Sequence, residues 1–282
     1  MTHNQKMEQK KLLETQQAFD SVAPDYDGPR GNNALIQRMR DTIWQLLART
    51  FVHDSRLLDL GCGTGIDAVH LAQQGHSVVA IDWSPLMVER TLGRAHDSGL
   101  TDRVRPRHLG IQELAELEEE RFDGIYSNFG PLNCVPDLME VAQACSALLN
   151  PNGKLIFSII GRFCPWEYLY YMGRGRADRA RVRFQHGVVP VNLNGHKVWA
   201  YYYTPREFYR AFSAHFTLTH YQALSLFLPP PYLVDMYEKY QPLFEILGWL
   251  DDHLGSLPLV RDGGDHFLMV MTKRESPDQL RT

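Results

Sequence analysis

The sequence predicts an α/β fold whose core is a doubly wound, mostly parallel sheet, and three observations predict it. Short apolar strand patterns alternate with helix patterns between residues 56 and 160, the alternation that parallel βαβ units require. One strand pattern runs into the glycine-rich turn Leu60-Gly61-Cys62-Gly63-Thr64-Gly65 and straight on into a helix pattern, the junction at which open α/β sheets bring bare backbone up to a ligand. Residues 154–160 are almost uninterruptedly apolar, as in a strand covered on both faces.

The elements follow in order. Residues 1–10 are polar and are expected to fray, and Leu12, Leu13, Ala18 and Phe19 mark a short amphipathic helix that breaks before Pro24. In 34–51 the residues Leu35, Ile36, Met39, Ile43, Leu46 and Leu47 recur at helical spacing, so this helix packs one face on the core. Residues 56–60 form a strand, and 66–74 the helix that leaves the glycine turn, closed by Gly75. Strands at 77–81, 104–109 and 122–127 alternate with helices at 85–97 and 138–149, and the turn Pro151-Asn152-Gly153 leads to the strand at 154–160. Thereafter the pattern loosens. An aromatic helix and a basic stretch lie within 162–195, a strand at 197–203 and a helix at 205–214, and two closing strands at 218–228 and 266–272 are separated by Pro229-Pro230-Pro231 and two helices.

With 282 residues, 44% hydrophobic and 22% charged, the chain is long enough for one large α/β domain with insertions. A formal net charge of −4 supplies no positive field to draw in nucleic acid or an anionic membrane. Cys62, Cys134, Cys145 and Cys164 have no CxxC spacing and no nearby run of histidines, which argues against a metal site or disulfide framework and for a reducing cytoplasm. The polar N-terminus is unlike a signal peptide, and no stretch is long and apolar enough to span a bilayer.

The chemistry begins at the glycine turn. Asp82 lies 21 residues after Gly61, at the end of the next strand, the place for a carboxylate that accepts hydrogen bonds from ribose hydroxyls. A dinucleotide site would want a small residue at position 66, where a pyrophosphate rests on the helix N-terminus; this chain has Ile66, and the acidic Asp59 before the turn. Asp59 suits an ammonium better than a pyrophosphate, so the residues point to a nucleoside carrying an amino acid and away from a nicotinamide dehydrogenase.

The stretch Leu57-Leu58-Asp59-Leu60-Gly61-Cys62-Gly63-Thr64-Gly65 resembles the first motif of class I S-adenosylmethionine-dependent methyltransferases. Phe19-Asp20-Ser21-Val22-Ala23-Pro24-Asp25-Tyr26-Asp27 resembles the N-terminal segment of the ubiquinone and menaquinone biosynthesis type, and Asp82-Trp83-Ser84-Pro85-Leu86-Met87 the ribose and adenine segment. The fourth strand with Asn128 and the turn 149–155 agree in order and spacing. The resemblance implies a Rossmann-like seven-stranded sheet, mostly parallel with an antiparallel last strand, and helical, aromatic cap insertions. It implies an N-terminal lid segment (1–33), an S-adenosylmethionine-binding core (34–160), a cap insertion (161–217), the last two core strands with a helical insertion (218–274) and a tail (275–282). It also implies S-adenosylmethionine as cofactor, with S-adenosylhomocysteine as product and no metal. Carried over residue by residue, Tyr26, Asp59, Gly61, Cys62, Gly63, Asp82, Trp83, Met87, Asn128 and Phe129 meet the cofactor. Many members hold the adenine amino group with an acidic residue after the third strand; here Gly110 stands in its place, leaving the backbone of Gly110 or Ile111, or the Gln112 amide, for that contact.

Methyl transfer from a sulfonium is an in-line displacement that needs alignment and exclusion of water. The expected partner is a small or medium, partly apolar molecule methylated at oxygen, nitrogen or carbon, held among the aromatics of the insertions, with Trp166, Tyr170, Tyr171 and Tyr203 as candidates. Most aromatics there are expected simply to fill the cap. Asn133 is a further acceptor candidate, and His186, Asn133 and Tyr26 are the candidates for catalysis, with His108 and His266 as other possible bases. Arg174, Arg176, Arg179, Arg181 and Arg183 read as a solvated face or as a contact for an anionic group. A methyltransferase of macromolecules and a non-catalytic cofactor-binding partner protein are the alternative functions, and the oligomeric state is left open.

Overall fold

The computed structural model describes the chain from residue 3 to residue 275, so the expected tail lies outside the described residues except for Glu275. In chain order the strands are β1 (Arg56–Leu60), β2 (Ser77–Asp82), β3 (Val104–His108), β4 (Phe122–Ser127), β5 (Leu149–Ile160), β6 (Val188–Leu193), β7 (His196–Tyr201), β8 (Phe216–Leu224) and β9 (His266–Lys273). Seven of them form one sheet in the order β3-β2-β1-β4-β5-β9-β8. β1 to β5 run parallel, and β9 lies antiparallel between β5 and β8, as the seven-stranded expectation has it. The strand order reverses between β1 and β4, and the crevice at their carboxyl ends is the natural ligand position in such a sheet.

Both faces of the sheet are covered at its centre, which is why β2 and the later part of β5 read as apolar runs, whereas the edge strands β3 and β8 carry polar residues. Leu58, Leu60, Val79 and Ile81 point to one face, against Val141 and Cys145 of α5 (Leu138–Leu148) and Phe208 and Phe212 of α8 (Pro205–Phe212). Leu57, Val78, Ala80, Tyr126 and Ile156 point to the other, against Ile43 and Leu47 of α2 (Ala34–Thr50) and Leu71 of α3 (Ile66–Gln73). α4 (Pro85–Asp97) follows β2 and is capped by Ser84, whose hydroxyl accepts from Met87 N at 3.1 Å.

The differences from the sequence reading have local causes. The first helix, α1, spans His3–Val22, far longer than the expected short helix, because Gln, Lys and Glu are good helix formers and its later turns dock on β7. The turn 151–153 is absorbed into β5 as an irregularity: β4 pairs Phe122 with Leu149 and then Gly124 with Lys154, and Asn152 takes a φ of 61°. α8 packs on the sheet itself, so the part of the expected cap insertion that leaves the core ends before it. The strand expected at 197–203 is the second half of a hairpin, β6–β7, joined by Asn194-Gly195 with φ values of 50° and 87°. That Asn-Gly pair is the type I′ hairpin signal. β8 ends at Leu224, where Ser225 turns to a φ of 52°.

The remaining helices, α6 (Pro165–Met172), α7 (Ala177–Ala180), α9 (Val234–Lys239) and α10 (Gln241–Leu254), form the rest of the cap. A satellite core of Leu35, Leu228, Val234 and Phe244 joins α2 to α10. Asp251 of α10 pins the turn after β8 by accepting from the N–H groups of Leu226, Phe227 and Leu228 at 2.9, 2.8 and 3.1 Å. Among the described residues no helix is long and apolar enough to cross a membrane.

Candidate functional site

At the carboxyl ends of β1, β2 and β4 lies a cavity of about 380 Å³, bounded by the glycine turn, α1, α2, the β6–β7 hairpin and the start of β9. The turn forms one end. Gly61 has a φ of 76°, and a Cβ there would stand 2.3 Å from Pro131, so both its conformation and its packing exclude a side chain. Gly63, with a φ of 55°, differs: a Cβ there would meet nothing nearer than Tyr26 Cε1 at 3.9 Å, so its bareness keeps space open on the cavity side.

Asp82 ends β2 beside this turn. One carboxylate oxygen accepts from Gly63 N at 2.9 Å and the other from Ser84 N at 2.8 Å. Burial pushes its pKa up to about 6, against the pull of those two N–H groups. Trp83 and Met87 line the wall next to it, and the buried Trp83 Nε1 has no partner among the described residues. Ile111 and Gln112 complete this end. Gly110 does not reach the cavity. Its N–H donates to Glu113 Oε2 at 2.8 Å and its carbonyl accepts from Glu113 N at 2.9 Å, which corrects the expectation of a ligand contact there. The Gln112 amide instead lies 2.2 Å from where a Gly110 Cβ would be, so a side chain at 110 would displace it.

The N-terminal segment is strapped across the turn. Thr64 Oγ1 donates to Asp27 at 2.7 Å, and Arg94 reaches both Asp27 and the Thr64 carbonyl, the latter at 2.8 Å. Ser84 Oγ donates to Asp20 at 2.5 Å, and Gln16 donates to the Trp83 carbonyl at 2.7 Å. His108 contacts the same carbonyl at 3.0 Å and is therefore part of this latch, off the cavity wall. Tyr26 lies on the wall with its phenol pKa pushed up to about 12, chiefly by burial and then by Asp82. It is a neutral donor, which removes it as a base.

At the other side of the turn the acidic residue on the wall is Asp67 of α3, with Asp59 behind it. Asp59 is 2% exposed and absent from the lining, and burial followed by the neighbouring Asp67 raises its pKa well above the usual carboxylate range. Asp67 accepts from Arg40, from Trp44 Nε1 at 2.8 Å and from Asn128 Nδ2 at 3.0 Å. Asn128 Oδ1, buried on the wall, is left without a partner among the described residues. Phe129 carries the Arg40 guanidinium over its ring at 4.8 Å. Cys62 lines the turn as a neutral thiol, its pKa raised first by burial and then by Asp82.

The far end of the cavity is apolar. α2 contributes Ile36 and Met39, and the hairpin contributes Val191, Val198 and Ala200. Strand alternation sends 198, 200 and then Tyr202 inward, whereas Trp199 faces α1, bonding Thr15 Oγ1 and Glu14. Tyr203, expected to touch the acceptor, consequently points into the sheet core, its ring 5.9 Å from Phe208. Trp166 is likewise spent on structure, with its indole donating to the Phe227 carbonyl at 2.7 Å and its ring against Phe244. Tyr170 and Tyr171 pack on each other and Arg174 covers Tyr170, away from the cavity. Asn133 is on the wall, with both polar atoms engaged by backbone: Nδ2 donates to Ile160 O and Tyr201 O at 3.0 and 2.7 Å, and Oδ1 accepts from Ile160 N at 2.9 Å. It ties the hairpin to β5, a structural role that the loop position alone did not reveal. His186 is exposed and outside the cavity.

His266, at the start of β9, is on the wall, edge-on to Phe129. The basic segment does not form a continuous charged face. Arg183 is buried and bonded to Glu167 and Asp265, and Arg176 is paired with Asp178. Sequence reasoning missed Tyr202, Met39 and the hairpin wall, for which the Asn194-Gly195 signal was available, and Asp67, which lies on the helix that leaves the glycine turn. Among the described residues no group of three His, Cys, Asp or Glu side chains could hold a metal ion.

Comparison with known proteins agrees with this geometry. A family model described as a methyltransferase domain matches residues 57–153, the stretch from β1 into β5. A ubiquinone biosynthesis O-methyltransferase from Alkalilimnicola ehrlichii is 30% identical over 154 residues, 54% of this chain and 61% of that protein, so the match spans less than two thirds of the relative's length. Among solved structures, a 1,6-didemethyltoxoflavin-N1-methyltransferase from Burkholderia thailandensis with bound S-adenosylhomocysteine superposes with a TM-score of 0.57 at 20% identity, over 93% of this chain and 88% of that one. A geranyl diphosphate C-methyltransferase from Streptomyces coelicolor, also with S-adenosylhomocysteine, gives 0.56 at 16% identity, over 89% and 81%. These likenesses concern the fold.

Proposed function

We propose that this chain, a class I S-adenosylmethionine-dependent methyltransferase, moves a methyl group onto an oxygen, nitrogen or carbon atom of a small or medium, partly apolar molecule. The observation that carries this reading is the single cavity with two unlike ends: a polar cradle at the glycine turn and an apolar chamber under the cap. The cradle fits the donor. Gly63 leaves open the space that a side chain would fill, Asp82 stands where two ribose hydroxyls can donate to it, and Asn128 Oδ1 is an unused acceptor for an ammonium. Gln112 and Trp83 Nε1 are the polar groups at the adenine end.

When bound, S-adenosylmethionine supplies an activated methyl group on a sulfonium, and transfer requires no covalent bond to the protein. The chain's own residues align and enclose. The strap at Asp20 and Asp27 closes one wall over the turn, while the hairpin and α2 close the other against water. Cys134 lines the cavity, but burial pushes its thiol up to about 12, so it is not a competing nucleophile. The relative named as a ubiquinone biosynthesis O-methyltransferase favours oxygen as the target atom. The four free cysteines support a cytoplasmic setting, and the enclosed chamber supports a small acceptor over a nucleic acid.

The test is incubation of the enzyme with a cell extract and isotope-labelled methyl donor, with mass spectrometry of the small-molecule and macromolecular fractions. Label is expected in a small apolar product. Label confined to protein or RNA would overturn the acceptor class, and no transfer at all would favour a non-catalytic binding protein.

A further inference from the structure

We infer that His266 accepts the proton of the methyl acceptor, and that the methylated group is a weakly acidic hydroxyl, phenolic or enolic, on an apolar body. The inference rests on the methyltransferase reading and narrows it to one nucleophile class. Neutral hydroxyls attack poorly until the proton leaves, whereas a carbon π-bond or an amine lone pair attacks without prior deprotonation. A base poised at the chamber therefore suits the hydroxyl, whose attack depends most on losing its proton.

Few of the other side chains on the cavity wall can take a proton. Asn133 is engaged by backbone, Thr15 Oγ1 accepts from Trp199 N, Gln16 Nε2 donates to the Trp83 carbonyl and Arg40 donates to Asp67, and amides, a hydroxyl and a guanidinium are not bases. Tyr202 and Cys134 remain neutral near pH 7, both pushed up to about 12 by burial. Among the described residues His266 is the one imidazole on the wall, and an imidazole is the side chain best suited to take a proton from a reacting hydroxyl.

Its backing is built for a positive charge. Nδ1 lies 2.9 Å from Asp265 Oδ2, a close charge contact in which the N–H is not aligned for a straight hydrogen bond. Asp265 is 3% exposed, and its other oxygen accepts from Arg183 Nη2 at 2.6 Å. Arg183 also grips Glu167 through two bonds of 3.0 and 2.9 Å, and Glu167 accepts from the Tyr232 hydroxyl at 3.0 Å. This row of side chains runs from the chamber to the half-exposed Tyr232. Two carboxylates thus share one guanidinium, and a proton on the imidazole brings the buried group to neutrality. Asp265 and Arg183 are positioning residues. They hold Nδ1 as the protonated ring nitrogen and leave Nε2, to which no hydrogen bond runs among the described residues, for the substrate.

The proton balance closes. The hydroxyl proton passes to His266 Nε2 as the oxygen gains the methyl group and the sulfur–methyl bond breaks, so the positive charge lost from the sulfonium reappears on an imidazolium beside Asp265.

The experiment has two readouts besides turnover. Nitrogen NMR of the histidine rings, assigned by loss of one signal set in H266Q, should give the Nδ1–H tautomer for His266 in wild type and a shifted tautomer balance in D265N. An Nε2–H tautomer in wild type, or no change in D265N, would overturn the inference. The second readout is 4-nitrophenol added to the protein saturated with S-adenosylhomocysteine, below the pH at which the free phenol ionises. Wild type should bind it with appearance of phenolate absorbance, D265N should show less, and H266Q none, with S-adenosylhomocysteine affinity within about twofold in all three. Equal phenolate signals in wild type and H266Q, or no binding of the phenol, would overturn the inference while leaving the methyltransferase reading intact. Failure of S-adenosylhomocysteine itself to bind wild type would instead strike that reading.

Discussion

Replacing Asp82 by Asn changes one atom and tests the donor site quantitatively. In the wild type each carboxylate oxygen accepts one backbone N–H, from Gly63 at 2.9 Å and Ser84 at 2.8 Å, and each has a second lone pair for a ribose hydroxyl. The amide keeps one such oxygen and turns the other into a donor facing a donor. Losing a charge-assisted pair of hydrogen bonds of this kind costs about 1–3 kcal/mol of affinity, or about fivefold to hundredfold in Kd. The pH dependence gives a second signature. The folded carboxyl titrates at about 6, raised from 3.8 by burial, and only its ionised form accepts from both hydroxyls. Affinity for S-adenosylhomocysteine is therefore full above about pH 6 and falls as pH drops through that value, by up to about tenfold per unit. Titration calorimetry of wild type and Asp82→Asn at several pH values measures both effects. A wild-type affinity flat through the acid range, or an Asn variant with unchanged affinity and slope, would refute the assignment of Asp82 to the ribose.

Two further outcomes follow from the packing. Gly63→Ala is expected to keep the fold, at a backbone cost of about 1 kcal/mol for its left-handed φ, while losing most S-adenosylhomocysteine binding; Gly61→Ala, which drives a Cβ into Pro131, is expected to lower the melting temperature markedly. Equal behaviour of the two in melting and calorimetry would contradict the different roles given to these glycines. Arg183→Met leaves Glu167 and Asp265 buried without their cation and is expected to destabilise the protein by about 3–5 kcal/mol in urea unfolding at neutral pH. A loss of less than about 1 kcal/mol would show that the cluster is not held by Arg183.

The core was legible because its signals are local. The order of strands and helices, the glycine turn and Asp82 depend on neighbours in sequence, and the apolar run of β5 reports burial on both faces. The chamber was not legible, because its residues are selected by tertiary geometry. Tyr202 faces the cavity and Tyr203 the core only because strand alternation carries on past β7, and no composition cue separates two adjacent tyrosines. Trp166, Tyr170 and Tyr171 carry the same aromatic character as an acceptor site but are used for packing and for the Phe227 carbonyl. Asp59 read as the ammonium partner from its place before the turn, yet its side chain lies behind the wall, where Asp67 and Asn128 stand in front. His266 gained weight only when folding brought Asp265, Arg183 and Glu167 together across up to about a hundred residues of sequence.

The central claim is that the cradle at Gly61 to Thr64 holds S-adenosylmethionine and not a dinucleotide. Calorimetry of the wild-type protein at neutral pH with S-adenosylhomocysteine and, separately, with NAD tests it most directly. The structure predicts one-site binding of S-adenosylhomocysteine and no heat from NAD; binding of NAD alone would contradict it.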